Sequence, residues 1–225
     1  GAVDKALMFR ANDKTKDQSY FLFATTQEQL DFLRFPLGSL TKNETRDFAK
    51  KLGLNVHDKK DSQDICFIPN GDYKSFIKLN AKEGNVIDKS GKVLGKHDGI
   101  HNFTIGQRRG MGIASEKPLY VVDIIKDTNE IIVGDKEHLL GQSLILDELN
   151  FIMPDIDISA PTLKIKCSAK IRSLSTPSEG TLYKKENTYS FIFDNPTESI
   201  TRGQACVLYD NERVLGGGII KQKLN

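Results

Sequence analysis

The chain has 225 residues, of which 38% are hydrophobic, enough for one large domain or two to three small ones around a buried core. Its 32 Lys and Arg against 30 Asp and Glu leave a formal net charge of +2, so bulk charge names no partner and only local clusters can. No run approaches the roughly 20 apolar residues of a membrane span, and Gly1-Ala2-Val3-Asp4-Lys5 lacks the apolar stretch of a secretory signal, which excludes a helical membrane protein and makes the cytoplasm the expected compartment.

In chain order, residues 17 to 52 read as helical in two segments broken at Phe35-Pro36-Leu37-Gly38. In the second, Thr41 stands three residues before Glu44, the capping-box spacing, and Phe48, Ala49 and Leu52 form an apolar face before Gly53. This predicts a helix from about Lys42 to Leu52. Leu54-Asn55-Val56 reads as a short strand, and the charged stretch His57 to Asp64 as a loop, because it follows neither period. Cys66 then opens the apolar run Ile65 to Ile68, and Tyr73 to Leu79 reads as a further helix. The stretch Val3 to Leu54 has no strands to pack on, so a preceding segment is expected.

From about Gly84 the pattern changes to short β-like runs separated by turn residues every 8 to 12 positions. Asn85-Val86-Ile87 precedes the turn Asp88-Lys89-Ser90-Gly91, and Leu119 to Val133 reads as a hairpin. After Pro161, Leu163, Ile165, Cys167, Ala169 and Ile171 share one face of a strand, while Lys164, Lys166, Ser168, Lys170 and Arg172 share the other. That places a core face against a basic stripe. Thr188 to Phe193, Ala205 to Tyr209 and Arg213 to Ile220 complete strands suited to a small antiparallel barrel. The fold class is therefore α+β, mainly β. Gly216-Gly217-Gly218 predicts a bulge or a close backbone approach.

Three cysteines, Cys66, Cys167 and Cys206, are too few and too scattered for a disulfide framework, and none forms a C-x-x-C pair. Cys167 and Cys206 fall on apolar registers. Cys66 lies beside a loop carrying Lys59 and Lys60, cations that favour a reactive thiolate, while Asp61 and Asp64 oppose that. It reads either as a nucleophile or as a small hydrophobe between Ile65 and Phe67. His97 and His101 have a helical metal-ligand spacing, but Gly99 between them argues against a helix, and no metal site is expected. Gly106-Gln107-Arg108-Arg109-Gly110-Met111-Gly112 can present backbone amides and two guanidinium groups, Arg108 and Arg109, to phosphate, or simply be a tight surface turn. No G-x-x-x-x-G-K-[ST] loop occurs.

Five ordered segments carry a family resemblance. Lys16-Asp17-Gln18-Ser19-Tyr20-Phe21, Phe35-Pro36-Leu37-Gly38, Lys60-Asp61-Ser62-Gln63-Asp64-Ile65-Cys66-Phe67-Ile68, Thr104-Ile105-Gly106-Gln107-Arg108-Arg109-Gly110 and Leu215-Gly216-Gly217-Gly218-Ile219-Ile220 together resemble the bacterial tRNA-specific 2-thiouridylases, the MnmA family. The likeness runs through nearly the whole chain. It implies an ATP-pyrophosphatase (PP-loop) domain, here only its helical carboxy-terminal end over residues 1–66. A small β-rich central domain would follow over 67–138, then a translation-factor-like carboxy-terminal β-barrel over 139–225.

The resemblance also implies a chemistry. Enzymes of this family adenylate the C2 oxygen of wobble uridine-34 in tRNAs for Lys, Glu and Gln with ATP and magnesium. They then deliver sulfur to C2 from a persulfide on the second catalytic cysteine, which a sulfur-relay donor protein loads. Cys66 matches that cysteine. The first catalytic cysteine, its disulfide partner, and the Ser-Gly-Gly-x-Asp-Ser phosphate loop lie upstream in the family and have no counterpart here, so the chain alone is expected to be inactive and to bind ATP poorly. The family pattern places tRNA contacts at Lys16, Asp17 and Gln18, at Arg172 and Ser173, and at Gln204. Ser173 departs from the pattern, which is often aromatic there. The rival readings are a non-catalytic tRNA-binding module with a structural Cys66, and a barrel that binds protein partners.

Overall fold

The computed structural model describes residues 5–59 and 82–224. Within them the chain forms two helices, α1 (Gln27–Phe32) and α2 (Lys42–Lys51), and ten strands. The strands are β1 (Gly84–Asp88), β2 (Val93–His97), β3 (Tyr120–Ile125), β4 (Glu130–Gly134), β5 (Leu140–Phe151), β6 (Thr162–Lys170), β7 (Ser178–Lys185), β8 (Thr188–Glu198), β9 (Ala205–Asp210) and β10 (Arg213–Leu224). They divide into two compact units, Gly1–Leu52 with Leu140–Asn225, and Gly53–Leu139. No helix among the described residues is long and apolar enough to cross a membrane.

In the first unit β5 to β10 close into a six-stranded barrel in the order β10-β5-β8-β7-β6-β9, with every neighbouring pair antiparallel. Closure removes the free edges that strands of this length would otherwise expose. Leu144, Leu182, Phe191, Phe193, Cys206 and Leu208 fill the interior. The rings of Phe191 and Phe193 meet edge to face at 4.8 Å. Burying each of the larger side chains is worth roughly 1.5–3 kcal/mol.

The Gly216-Gly217-Gly218 run in β10 contains a register shift against β5 and follows one against β9, the bulge that the sequence predicts. A Cβ on Gly217 would stand 2.7 Å from the Cys206 carbonyl oxygen, and one on Gly218 2.7 Å from that of Asp147. Both neighbouring strands approach too closely for any side chain.

The amino-terminal stretch finds its partner on this barrel. Phe9 forms an antiparallel bridge with Arg213, framed by Arg10 N–H donating to the Glu212 carbonyl and Val214 N–H to that of Met8, both at 2.8 Å. Met8, Tyr20 and Leu30 pack against Ile152, Val207, Tyr209 and Val214 in a second apolar cluster. Asn150 of β5 donates from Nδ2 to the Phe23 and Thr25 carbonyls at 2.7 and 2.9 Å, and this holds 23–25 out of helix.

Helix is accordingly less extensive over 17–52 than its pattern predicts. Ser19–Leu22 is a single 3-10 turn, α1 runs six residues behind a Thr26–Gln29 capping box, and α2 follows the predicted Thr41–Glu44 box. No residue of α2 is buried, so the apolar face carrying Phe48 and Leu52 exists but is uncovered among the described residues. The expected strand at Leu54–Val56 is instead a run of turns. The expected helix Tyr73–Leu79 lies outside the described residues.

The second unit is a four-stranded sheet in the order β2-β1-β4-β3, with β1 and β4 parallel and the other pairs antiparallel. Val86, Val121, Ile131 and Val133 are its buried centre, packed by Ile100, Phe103, Met111, Ile113 and Leu119 from the connection between β2 and β3. His97 fastens this unit. Its Nδ1 accepts from Gly99 N–H at 3.0 Å, and its Nε2 lies 3.1 Å from the Asn129 carbonyl, so Nε2 carries the proton. Both ring nitrogens are thereby used internally.

Candidate nucleic-acid interface

Residues far apart in sequence meet along β9 of the barrel. Asp13 starts a turn in which Lys16 N–H donates to its carbonyl at 3.0 Å. The Asp13 side chain accepts from Thr15 Oγ1 at 2.6 Å and from the Lys42 amide at 3.0 Å. Lys14, Lys16 and Gln18 are exposed on this turn.

Asp17 between them points the other way. Its side chain is 2% exposed against 14% for Arg10. Oδ1 accepts from the Ala11 and Ser19 amides at 3.2 and 3.1 Å, and Oδ2 from Arg10 Nε at 3.1 Å. Burial pushes the carboxyl pKa up, but the hydrogen bonds from Ser19, Arg10 and Ala11 outweigh it and leave the group below the ordinary aspartate value.

The next residues bind the turn to the barrel. Ser19 Oγ lies 3.5 Å from Tyr209 Oη, and the Arg10 guanidinium sits 5.5 Å over the Tyr209 ring. Tyr20 Oη donates to the Ala205 carbonyl at 2.9 Å, immediately after Gln204. Lys170, at the end of β6, is 5% exposed with Nζ 5.7 Å over the Tyr20 ring. Its pKa is lowered, first by burial, against the pull of Asp17 and with the push of Arg10.

Two residues on, Arg172 Nη2 reaches the Ser199 carbonyl at 3.5 Å and Thr201 Oγ1 at 3.4 Å. Thr201 in turn begins the turn that ends at Gln204, whose amide donates to the Thr201 carbonyl at 3.2 Å. Arg172 with Ser173 and Gln204 thus lie together at the start of β9, while the Lys16–Gln18 turn is held through Arg10 and Lys14 to Tyr209 and Glu212 at the other end of that strand, with Tyr20 spanning the two. Gln204 is exposed, while Arg172 and Ser173 are half-buried.

The basic stripe read along β6 is interrupted. Lys164 and Lys166 are exposed, but Ser168 and Lys170 are buried, because the amino-terminal stretch covers the outer face of the barrel at this end. Strand alternation places a side chain on a face but does not say what else lies on that face.

Arg108 and Arg109 belong to the second unit, on an exposed loop. Cys66 and Lys60 lie outside the described residues. Burial pushes the Cys167 thiol up to about 12 and also raises Cys206, so both stay protonated core groups, as their registers predict. Among the described residues no group of three or more His, Cys, Asp or Glu side chains could hold a metal ion.

Three family matches follow one another between residues 2 and 220. They are described as the tRNA methyl transferase HUP domain over residues 2–70, the tRNA methyl transferase PRC-barrel domain over 74–135, and the aminomethyltransferase beta-barrel domain over 141–220. The chain is 46% identical over 224 residues to the tRNA-specific 2-thiouridylase MnmA of Hyphomonas neptunium, covering 96% of this chain and 57% of that protein. Its identity to the MnmA of Caulobacter vibrioides is 48% over 219 residues, covering 94% and 57%. For that of Nostoc punctiforme it is 42% over 225 residues, covering 98% and 63%.

The chain belongs to the MnmA (TrmU) family. It spans 57 to 63% of the length of these three relatives. Within the MnmA frame, the match described as a HUP domain covers Cys66 and the Lys16–Gln18 turn, while the barrel match covers Arg172, Ser173 and Gln204. The candidate contact residues therefore come from two of the three matched regions. Sequence reading could not find the residues that hold this surface from within, half-buried Arg10 and buried Lys170 and Tyr209. Of their signals only Lys170 was visible, as a lysine in register with exposed ones.

Proposed function

We propose that this chain is the tRNA-gripping and sulfur-donating part of a tRNA 2-thiouridylase acting on wobble uridine-34 of tRNAs for Lys, Glu and Gln. The observation that carries the reading is that the Lys16–Gln18 turn, Arg172 with Ser173, and Gln204 all lie along β9, with Tyr20, which follows the turn, bonded to the Ala205 carbonyl beside Gln204. In this reading Lys16, Gln18 and Gln204 touch RNA directly, with Arg172 beside them. Asp17 acts from behind by holding the turn. Exposed amides and cations on a rigid scaffold suit phosphate and sugar contacts, which position the RNA without reading its sequence.

Cys66 carries the sulfur. A donor protein transfers sulfane sulfur to the Cys66 thiolate, giving Cys66–S–S⁻, and the terminal sulfur attacks uridine C2. The C–S bond forms as the activated C2–O bond breaks, the oxygen leaving on the adenylate as AMP, and the S–S bond then breaks through attack by a second cysteine thiolate, which leaves a disulfide with Cys66 and the sulfur on C2. A persulfide is more acidic than a thiol and is anionic near neutral pH, which favours this attack.

ATP with magnesium would activate the C2 oxygen in the whole enzyme. This chain contains neither a Ser-Gly-Gly-x-Asp-Ser run nor a G-x-x-x-x-G-K-[ST] run, so its own residues do not fit the nucleotide phosphates, and no step here is assigned to them. The test is Cys66→Ser in the full-length enzyme, read by 2-thiouridine content and by tRNA affinity. Lost thiolation with unchanged affinity is expected. Retained thiolation would reduce the chain to a non-catalytic tRNA-binding module.

A further inference from the structure

The loop Gly106 to Gly112 of the second unit is built more firmly than a surface turn requires. Gly106 N–H donates to the Val121 carbonyl at 2.8 Å, and Val121 N–H returns to the Gln107 carbonyl at 2.9 Å, so the loop is stitched to the buried start of β3. The Gln107 side chain bridges both flanks. Its Oε1 accepts from Thr104 N–H at 3.0 Å, and its Nε2 donates to the Arg109 carbonyl at 2.8 Å.

Gly106 and Gly110 have φ of 89° and 79°, backbone that an L side chain enters at a cost. Beyond Gly110, Met111 and Ile113 anchor the loop in the apolar core of the unit. Held at its tip are Arg108 and Arg109, consecutive and both exposed. Neither guanidinium makes a hydrogen bond or an ion pair with another described residue. Arg10, Arg34, Arg172 and Arg213 are each tied to a carboxylate, a carbonyl or a hydroxyl, and of the arginines without such a tie only Arg108 and Arg109 are consecutive.

An ordered loop that presents two uncompensated guanidinium groups suits a bidentate partner with several anionic oxygens. Both groups are exposed, so they meet the ligand in high dielectric, where a single small anion gains little. A polyanion gains from the same groups by releasing its condensed counterions.

We propose that Arg108 and Arg109 form a second RNA-backbone contact of this protein, on the central unit, with Gln107 as the positioning residue that shapes the loop. The proposal rests on the tRNA reading above. It adds a contact distinct from those along β9, on residues that no RNA contact was drawn from there.

The test measures binding of unmodified tRNA to the full chain by fluorescence anisotropy across a salt series, with inorganic phosphate as a competitor. Two phosphate contacts lower the slope of log K against log salt by about 1.4–1.8, which corresponds to roughly 25- to 60-fold in affinity between 1 M and 0.1 M salt. Arg108→Gln/Arg109→Gln is expected to show this loss with an unchanged melting temperature. Gln107→Ala, which keeps both charges, is expected to weaken binding several-fold.

Wild-type tRNA affinity that ignores salt would overturn the tRNA reading and this contact together. Steep wild-type salt dependence retained in full by Arg108→Gln/Arg109→Gln would overturn the contact alone. Full affinity in Gln107→Ala would overturn the positioning role. Competition by inorganic phosphate at low millimolar concentration would assign the loop to a small anion and overturn the RNA contact.

Discussion

Replacing Asp17 by Asn tests whether the Lys16–Gln18 turn is held from inside. The substitution preserves size and keeps an oxygen where Oδ1 accepts from the Ala11 and Ser19 amides. It puts an NH2 where Oδ2 accepts from Arg10 Nε at 3.1 Å, so two donors face each other. The lost bond is charge-assisted and nearly dry, with side-chain exposures of 2% and 14%, and is worth about 1.5–3 kcal/mol. For a chain of this size that lowers Tm by roughly 3–12 °C.

The pH dependence follows from the lowered pKa of Asp17. A carboxyl group whose folded-state pKa lies below its unfolded value near 3.8 contributes its full stability above that value, and loses it as pH falls through the folded one. The Tm gap between wild type and Asp17→Asn should therefore be constant from pH 7 to about 5 and close below pH 3.8. Differential scanning calorimetry across that range measures it. An unchanged Tm at pH 7, or a gap that does not narrow as pH falls below 3.8, would refute the account of a buried charged anchor.

Gly217→Ala should be among the more damaging small substitutions in the barrel. The added methyl meets the Cys206 carbonyl oxygen at 2.7 Å and Val207 Cα at 3.1 Å, both backbone atoms that cannot swing away. A destabilisation of about 1–3 kcal/mol or more, read by urea denaturation, is expected, and a wild-type midpoint would contradict the close strand approach. Thiol alkylation at pH 8 followed by peptide mass analysis should leave Cys167 and Cys206 unmodified in the native chain and label both after denaturation, since burial raises both thiols. Rapid native labelling of either would show an open barrel.

The barrel was legible where a strand has one face in the core and one in solvent. Leu163 to Ile171 announced β6 by alternation, and Gly216 to Gly218 announced their crowding. β5 and β7 were not seen. β5 carries Gly141, Asp147 and Glu148, the last at a φ of 50°, and its bulges shift the register, which destroys a period of two. β7 reads Ser-Glu-Gly-Thr-Leu-Tyr-Lys-Lys and buries only Gly180 and Leu182. The helical reading of 17–52 overshot because Asn150, more than 120 residues away, takes the Phe23 and Thr25 carbonyls that a helix would have used. Tertiary hydrogen bonds of that kind leave no local mark.

The same limit explains the site. Motif resemblance could name Lys16, Asp17 and Gln18 as one RNA-contacting turn, but could not divide labour within it. The structure divides it by burial: an acceptor-only carboxylate facing an arginine and two amides cannot also face a phosphate, whose oxygens would repel it. In the proposed reading, Asp17 serves RNA binding by fixing where Lys16 and Gln18 stand. The lowered pKa of Lys170 belongs to the same arrangement. A lysine sealed beneath Tyr20 costs stability by itself, and the nearby Asp17 charge offsets part of that cost. Removing Asp17 would thus loosen the turn and leave two cations, Arg10 and Lys170, facing each other without their shared anion. The geometry of the Lys16–Gln18 turn depends on a charge that faces inward, to Arg10 and the Ala11 and Ser19 amides.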